Sequence, residues 1–395
     1  VGQLVARALR QEPHGRGRDH RLPLAGHVPG RRSRHLDHPA EDDRPLARGA
    51  ILTGRASLVV SLPAPYLLFL GDTTEAGYAK TAFGLRDWAR GLCIGEFASP
   101  GCTITTGLPR LAPREARARG ARSLVIGVAN TGGVLKPEWI PGLLEGLEAG
   151  LDLVSGMHGR LAAVPALKAA AERLERRLID VRTPPAQLPI GTGRKRSGKR
   201  LLTVGTDCAL GKKYTALAIA AAMRRRGVAA DFRATGQTGI MIAGSGMPMD
   251  AVISDFIAGA AEVLSPDAAP DHWDVIEGQG SLFHPAYAGV SLGLLHGSQP
   301  DVFVLCHEPG RRELLGYPGF PTPSLPLAIE RHVAMGSLTN RGIRCGGISF
   351  NTAALAAAEA EALMQRTSRE LGLPVADPMR GGDALERLVD ACLAG

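Results

Sequence analysis

The stretch Leu201-Leu202-Thr203-Val204-Gly205-Thr206-Asp207-Cys208-Ala209-Leu210-Gly211-Lys212-Lys213-Tyr214-Thr215 constrains the fold more than any other part of the chain. An apolar run closes on a glycine-bounded turn, a lysine follows the second glycine, and Ala216 to Met223 continues at helical spacing. This is the order strand, phosphate loop, helix. In it the N–H groups of the turn and of the helix N-terminus converge on one point, and the lysine adds a full positive charge there. A ligand at that point carries phosphate, and the residues assigned to hold it are Gly205, Thr206, Asp207, Cys208, Ala209, Gly211, Lys212, Lys213, Tyr214 and Thr215.

The stretch departs from the pattern G-x-x-x-x-G-K-[ST] at two places. Gly205 stands one residue further back, so the loop is longer, and Lys213 replaces the hydroxyl residue that ordinarily follows the lysine. A magnesium ligand is therefore missing, or is supplied by Thr215 or Thr206. The plainer alternative is an ordinary strand-to-helix turn with a surface lysine pair.

At 395 residues the chain is long enough for two domains with sizeable cores. Its 50 Gly and 28 Pro with only 4% aromatic residues suit an α/β protein rich in tight strand-to-helix turns. The net charge of +8 invites a nucleic-acid reading, but residues 1–50 hold ten Arg against six Asp plus Glu, half of that excess. The remainder is mildly basic, as suits anionic ligands, and neither a nucleic-acid nor a membrane partner is expected. No stretch approaches the ~20 apolar residues of a membrane span, and no secretory leader pattern opens the chain. Six scattered cysteines without C-x-x-C fit reduced thiols and a cytoplasmic location.

Residues 1–55 are rich in Arg, His, Pro and Gly and nearly without periodicity, so they are expected to be disordered or to be upstream sequence read through from a misplaced start. From Tyr66-Leu67-Leu68-Phe69-Leu70 onward, apolar runs alternate with helical segments: a helix-like stretch over 79–85, a strand at 123–130, helices around 139–147 and 165–178, and a strand near 151–154. The alternation predicts a Rossmann-like parallel sheet over 56–183, with its loops gathered at the C-terminal edge of the strands. Residues 184–199 read as a linker whose run Arg194-Lys195-Arg196 is expected to be solvated.

Residues 200–395 read as a P-loop-like α/β domain. Its further strands lie in 227–239, 272–282, 300–307 and 343–352, the first ending in a polar loop at Thr235–Gly239, and helices follow at 356–371 and near the C-terminus. The run His272-Trp273-Asp274-Val275-Ile276-Glu277 ends a buried strand in an acid. Such an acid beside a phosphate loop holds Mg²⁺, orients a proton or water, or merely caps a helix.

These residues resemble two families. Gly205-Thr206-Asp207 with Gly211-Lys212 and Glu277-Gly278-Gln279-Gly280 are similar to the phosphate loop and strand end of dethiobiotin synthetase, over about 195–395. The run Glu277-Gly278-Gln279-Gly280-Ser281-Leu282-Phe283-His284-Pro285-Ala286-Tyr287, with Ala79-Lys80-Thr81-Ala82, more specifically resembles the D-glutamate N-acetyltransferase (DgcN-type) family, from about Leu67 to the C-terminus. That resemblance implies acetyl transfer from acetyl-CoA to the amino group of D-glutamate in D-amino-acid catabolism, by a homo-oligomer. A loop without its hydroxyl metal ligand is compatible with holding coenzyme A phosphates.

For that chemistry Glu277 and His284 are the candidate bases, since both lie just past a strand end, and Asp207, inside the loop, is the third. His284 can equally be a packed core histidine. Arg233 and Arg311 are candidates for the substrate carboxylates, with Gln237, Tyr287, Ser298 and Asn351 as hydrogen-bonding partners. The alternatives kept open are an ATP- and Mg²⁺-dependent ligase or kinase, in which Glu277 and Thr215 hold the metal, and a non-catalytic P-loop nucleotide-binding regulator.

Overall fold

In the computed structural model of the chain, residues 59–128 and 133–394 are described, and they belong to one unit. The expectation for residues 1–55 lies outside the described residues.

Two parallel sheets organise the described residues. The first has the order β3-β2-β4-β5-β6 and is built from β2 (Tyr66–Phe69), β3 (Cys93–Phe97), β4 (Ser123–Ile126), β5 (Asp152–Ser155) and β6 (Leu178–Asp180). β2, β4 and β5 are buried along their whole length, which is why they read as unbroken apolar runs. Helices α1 (Lys80–Trp88), α2 (Pro113–Ala118), α3 (Ile140–Glu148) and α4 (Pro165–Leu174) connect them. β3 escapes a sequence reading because it carries Glu96. That buried carboxylate is satisfied by the Thr106 N–H and hydroxyl and by the Thr105 hydroxyl, at 2.5–2.7 Å.

The second sheet has the order β15-β14-β11-β7-β10-β8, with β7 (Lys199–Gly205), β8 (Ala230–Arg233), β10 (Trp273–Ile276), β11 (Val302–His307), β14 (Arg344–Phe350) and β15 (Val375–Ala376). β7 is central, so the phosphate loop leaves the middle of the sheet. Helices α5 (Lys212–Arg225), α6 (Gln237–Ala243), α7 (Ile257–Leu264), α8 (Ala288–Ser298), α9 (Leu325–Gly336), α10 (Ala357–Leu371) and α11 (Gly382–Leu393) cover it. A hairpin of β12 (Glu313–Leu314) and β13 (Tyr317–Pro321) projects beyond β11.

The two halves share a core. Leu217, Ala234, Ile240, Met241 and Ile242 of the second half are buried in the same cluster as Tyr66, Phe69, Leu85 and Leu124 of the first. Trp88 stacks on Tyr214 with ring centroids 6.1 Å apart, and β1 (Val60–Ser61) pairs antiparallel with β9 (Ser245–Gly246). Each large apolar side chain buried in this seam contributes about 1.5–3 kcal/mol.

Several local expectations change. The helix expected over 165–178 stops at Leu174, where Glu175 turns left-handed (φ 53°), and the chain then enters β6. The loop expected at Thr235–Gly239 instead starts α6 at Gln237. β10 is shorter than the strand read over 272–282, because Gly278 must pass the Thr203 carbonyl: a Cβ there would lie 1.7 Å from that oxygen.

The basic run is solvated at Arg194 and Lys195 but not at Arg196. Residues 181–198 carry no helix or strand, yet Arg196 is 5% exposed rather than solvated. Its guanidinium donates to the carbonyls of Ser265, Gly297 and Ser298 at 2.7–3.2 Å. Two of these end α8, so Arg196 satisfies orphan carbonyls and opposes the negative end of the helix dipole. Burial, with the nearby Arg200 charge, lowers Arg196 to about 10, which leaves it charged at neutral pH. Arg194 pairs with Asp267, and Lys195 with Asp301 at 2.7 Å.

Candidate functional site

The C-terminal ends of both sheets face one crevice of about 1360 Å³, larger than the ~300–1,000 Å³ of an ordinary small-molecule pocket. The phosphate loop forms its floor from Cys208 to Thr215, with Glu277, Gly278, Gln279 and Gly280 beside it. Lys80, His158, Arg160, Asp180 and Arg182 from the first half form the facing wall.

The loop takes the shape expected of its sequence. Ala209 (φ 54°) and Gly211 (φ 102°) both turn left-handed, and Lys212 then opens α5. The Lys212 ammonium is buried and donates back to the Asp207 carbonyl at 2.8 Å, closing the loop on itself. Burial pushes Lys212 down, as it does Lys213, which also lines the crevice. The Lys213 ammonium sits 4.3 Å from the centroid of the Tyr214 ring.

The threonines offered as metal ligands have protein partners. The Thr215 hydroxyl is 2.7 Å from the Ser349 hydroxyl, and the Thr206 hydroxyl is 3.0 Å from His307 Nδ1.

Glu277 follows β10 and is 5% exposed. One carboxylate oxygen accepts the N–H groups of Thr235 and Gly236, each at 3.0 Å, which places the acid against the start of α6. The helix-capping alternative is thus realised in part, yet Glu277 also lines the crevice. Burial raises its pKa, and Lys213 is the charge that most opposes this. A carboxylate so placed accepts a proton at higher pH than an exposed one.

The other two candidate bases are differently placed. His284 is 1% exposed, packed 4.6 Å from Tyr287 and 4.7 Å from Tyr317, ring to ring. Its Nδ1 accepts the Ala286 N–H at 3.2 Å. The ring is thus packed as a core histidine, with its Nδ1 engaged by the backbone.

Asp207 is fully buried, and both oxygens are committed: one to the Cys208 N–H, the other to the Arg311 guanidinium at 2.7 Å and the Leu315 N–H at 2.8 Å. Burial alone would raise this acid, but those partners hold it below the ordinary carboxylate range. Ligand-type atoms of Asp207, Cys208 and His284 lie within 4.8 Å of one another, but the guanidinium already neutralises the carboxylate there.

Of the expected substrate residues, Gln237, Tyr287 and Asn351 line the crevice. In the orientation its neighbours require, the Gln237 amide donates to the Gly156 carbonyl and accepts from Arg182 Nη2 at 2.8 Å. Arg311 braces the loop through Asp207 and the Cys208 carbonyl.

Arg233 and Ser298 lie elsewhere, contrary to expectation. Arg233 pairs with Asp274 at 2.7 Å and Asp231 at 3.3 Å. The Ser298 hydroxyl is buried against the Leu294 carbonyl of its own helix. The cations of the facing wall carry no site signal in the sequence, although Lys80 lies in the run Ala79-Lys80-Thr81-Ala82. Among the described residues neither Lys80 nor Arg160 forms an ion pair, and both are exposed.

The class defined by this fold and site is a Rossmann-like α/β half followed by a P-loop α/β half. Residues 97–184 match the domain of unknown function described as the DUF1611_N Rossmann-like domain, and residues 189–389 match the DUF1611_C P-loop domain. The chain belongs to this DUF1611 family, in agreement with the resemblance read from its sequence. It is 50% identical over 330 residues to a protein of Tritonibacter scottomollicae named D-glutamate N-acetyltransferase, covering 84% of this chain and 98% of that protein. A protein of the same name from Pseudoalteromonas sp. is 48% identical over 318 residues, covering 80% of this chain and 96% of that protein. The crystal structure of a DUF1611 family protein from Anabaena variabilis is 33% identical, covers 84% of this chain and 99% of that one, and superposes with a TM-score of 0.72.

Proposed function

We propose that this chain is a D-glutamate N-acetyltransferase that moves the acetyl group of acetyl-CoA to the amino group of D-glutamate. The observation that carries the reading is the 50% identity over almost the full length of a relative of that name. The crevice supports it: the loop offers Lys212 and Lys213 to the phosphates of the acyl carrier, and the opposite wall offers Lys80 and Arg160 to the carboxylates of the acceptor.

In this reading Glu277 is the general base. D-Glutamate arrives as an ammonium ion; Glu277 takes one proton and passes it to solvent, freeing the lone pair. The nitrogen attacks the thioester carbonyl, the C–S bond breaks, and the second nitrogen proton travels through Glu277 to the departing coenzyme A sulfur. The products are N-acetyl-D-glutamate, coenzyme A and one released proton. A positioned base contributes about 10²–10⁴-fold to such a step.

The test is incubation of the purified protein with acetyl-CoA and D-glutamate while free thiol is followed. Thiol release that requires D-glutamate and no ATP is the expected result. Formation of ADP from ATP without thiol release would replace this reading with a ligase or kinase. Absence of both would leave a nucleotide-binding regulator.

A further inference from the structure

A P-loop ordinarily brings Mg²⁺ to its phosphates, held by the hydroxyl that follows the lysine and by an acid at a neighbouring strand end. The residues present do not fit that ion. Lys213, an ammonium, occupies the position of the hydroxyl. The Thr215 and Thr206 hydroxyls are engaged by Ser349 and His307. The strand-end acid, Glu277, accepts two backbone N–H groups and has Lys213 as its strongest charged influence.

We propose that the Lys213 ammonium takes the place of the divalent cation, so that the loop binds a diphosphate group as the metal-free anion and disfavours its Mg²⁺ complex. The physical reason is charge at close quarters. A phosphate loop needs positive charge near the bridging oxygens; here it is built into the first turn of α5, one residue after Lys212. The Tyr214 ring lies beside the ammonium and holds it by a cation–π contact. A divalent ion entering beside Lys213 would meet like charge in a partly buried site, with the Thr206 and Thr215 hydroxyls of the loop already engaged.

The inference rests on the reading that this loop holds the diphosphate of the acyl carrier, but it is tested separately from it. Binding of coenzyme A and of ADP to the full chain is measured by calorimetry in EDTA and in excess Mg²⁺. The expected result is that both bind in EDTA and that Mg²⁺ leaves the affinity unchanged or weakens it. In Lys213→Thr, which restores the ordinary G-K-T order, affinity in EDTA should fall tenfold or more and Mg²⁺ should strengthen binding.

The wild-type titration needs no variant and decides the matter alone. Binding tenfold or more tighter with Mg²⁺ than in EDTA would overturn the inference while leaving the acyl-carrier reading intact. Metal-independent binding of ADP without binding of coenzyme A would uphold the inference and overturn that reading. Failure of both ligands to bind under either condition would overturn both.

Discussion

Replacing Glu277 by glutamine separates the role of a base from that of a structural acid. The side chains are isosteric, and space is tight: a Cβ on Gly239 would lie 2.2 Å from one Glu277 oxygen. The glutamine carbonyl must therefore take the oxygen site that accepts the Thr235 and Gly236 N–H groups, leaving its NH₂ where the second oxygen stood. Fold and crevice survive, but the group can no longer accept a proton.

Loss of a general base costs about 10²–10⁴-fold in kcat, or about 3–5 kcal/mol of barrier. The KM for acetyl-CoA should change little, because Lys212 and Lys213 remain. Burial raises the Glu277 pKa, so the wild-type acid limb should lie above the ordinary carboxylate range and should disappear in the variant. The sign for stability follows. A carboxylate raised in the folded state costs stability as pH rises through its folded pKa, so Glu277→Gln should match or exceed the wild-type Tm at pH 8. The assay is single-turnover thiol release across pH, with Tm measured in parallel. A variant that keeps more than a tenth of the wild-type rate with its acid limb unchanged would refute the role given to Glu277.

Arg196→Met should destabilise the protein by about 3 kcal/mol, because the Ser265, Gly297 and Ser298 carbonyls lose a charged donor. A Tm lowered by roughly 4 °C is expected, and an unchanged Tm would mean that Arg196 is effectively solvated. His332 is 2% exposed, and burial lowers it to about 4. Its neutral form is favoured by folding, so its contribution is present above an unfolded pKa of ~6.5 and is lost as pH falls toward 4, at up to ~1.4 kcal/mol per pH unit. Denaturant titrations of His332→Gln should show a flatter pH dependence than wild type over that window; an identical slope would contradict the assignment. Lys212→Ala should raise the KM for acetyl-CoA at least tenfold with a smaller effect on kcat, and the opposite pattern in steady-state kinetics would count against Lys212 as an anchor.

The parts of the fold that can be read from the sequence are those whose cause is local. β7, β11 and β14 are buried apolar runs between turn residues, and the phosphate loop lies within a few consecutive residues. β3 is hidden by Glu96, whose partners lie nine and ten residues further on. Arg196 reads as solvated because its partners are carbonyls some 70 and 100 residues away, which no charge pattern reveals. The wall of Lys80, Arg160 and Arg182 is distributed in the same way. Conversely, Arg233 sits at a strand end as the crevice rule requires, but its side chain is claimed by Asp274 of the neighbouring strand.

Helix α6 carries Gln237 and Thr238 to the crevice, while its Ile240, Met241 and Ile242 are lodged among the side chains of the opposite sheet. A cut at 184–199 would therefore not release two self-sufficient pieces. Each fragment, expressed alone, would present bare aliphatic surface to water and be prone to aggregation. The same interlocking opposes a clamshell motion of one sheet against the other, so ligands must pass through a mouth whose rigid frame is already assembled, and any gating during turnover falls to individual side chains and short loops.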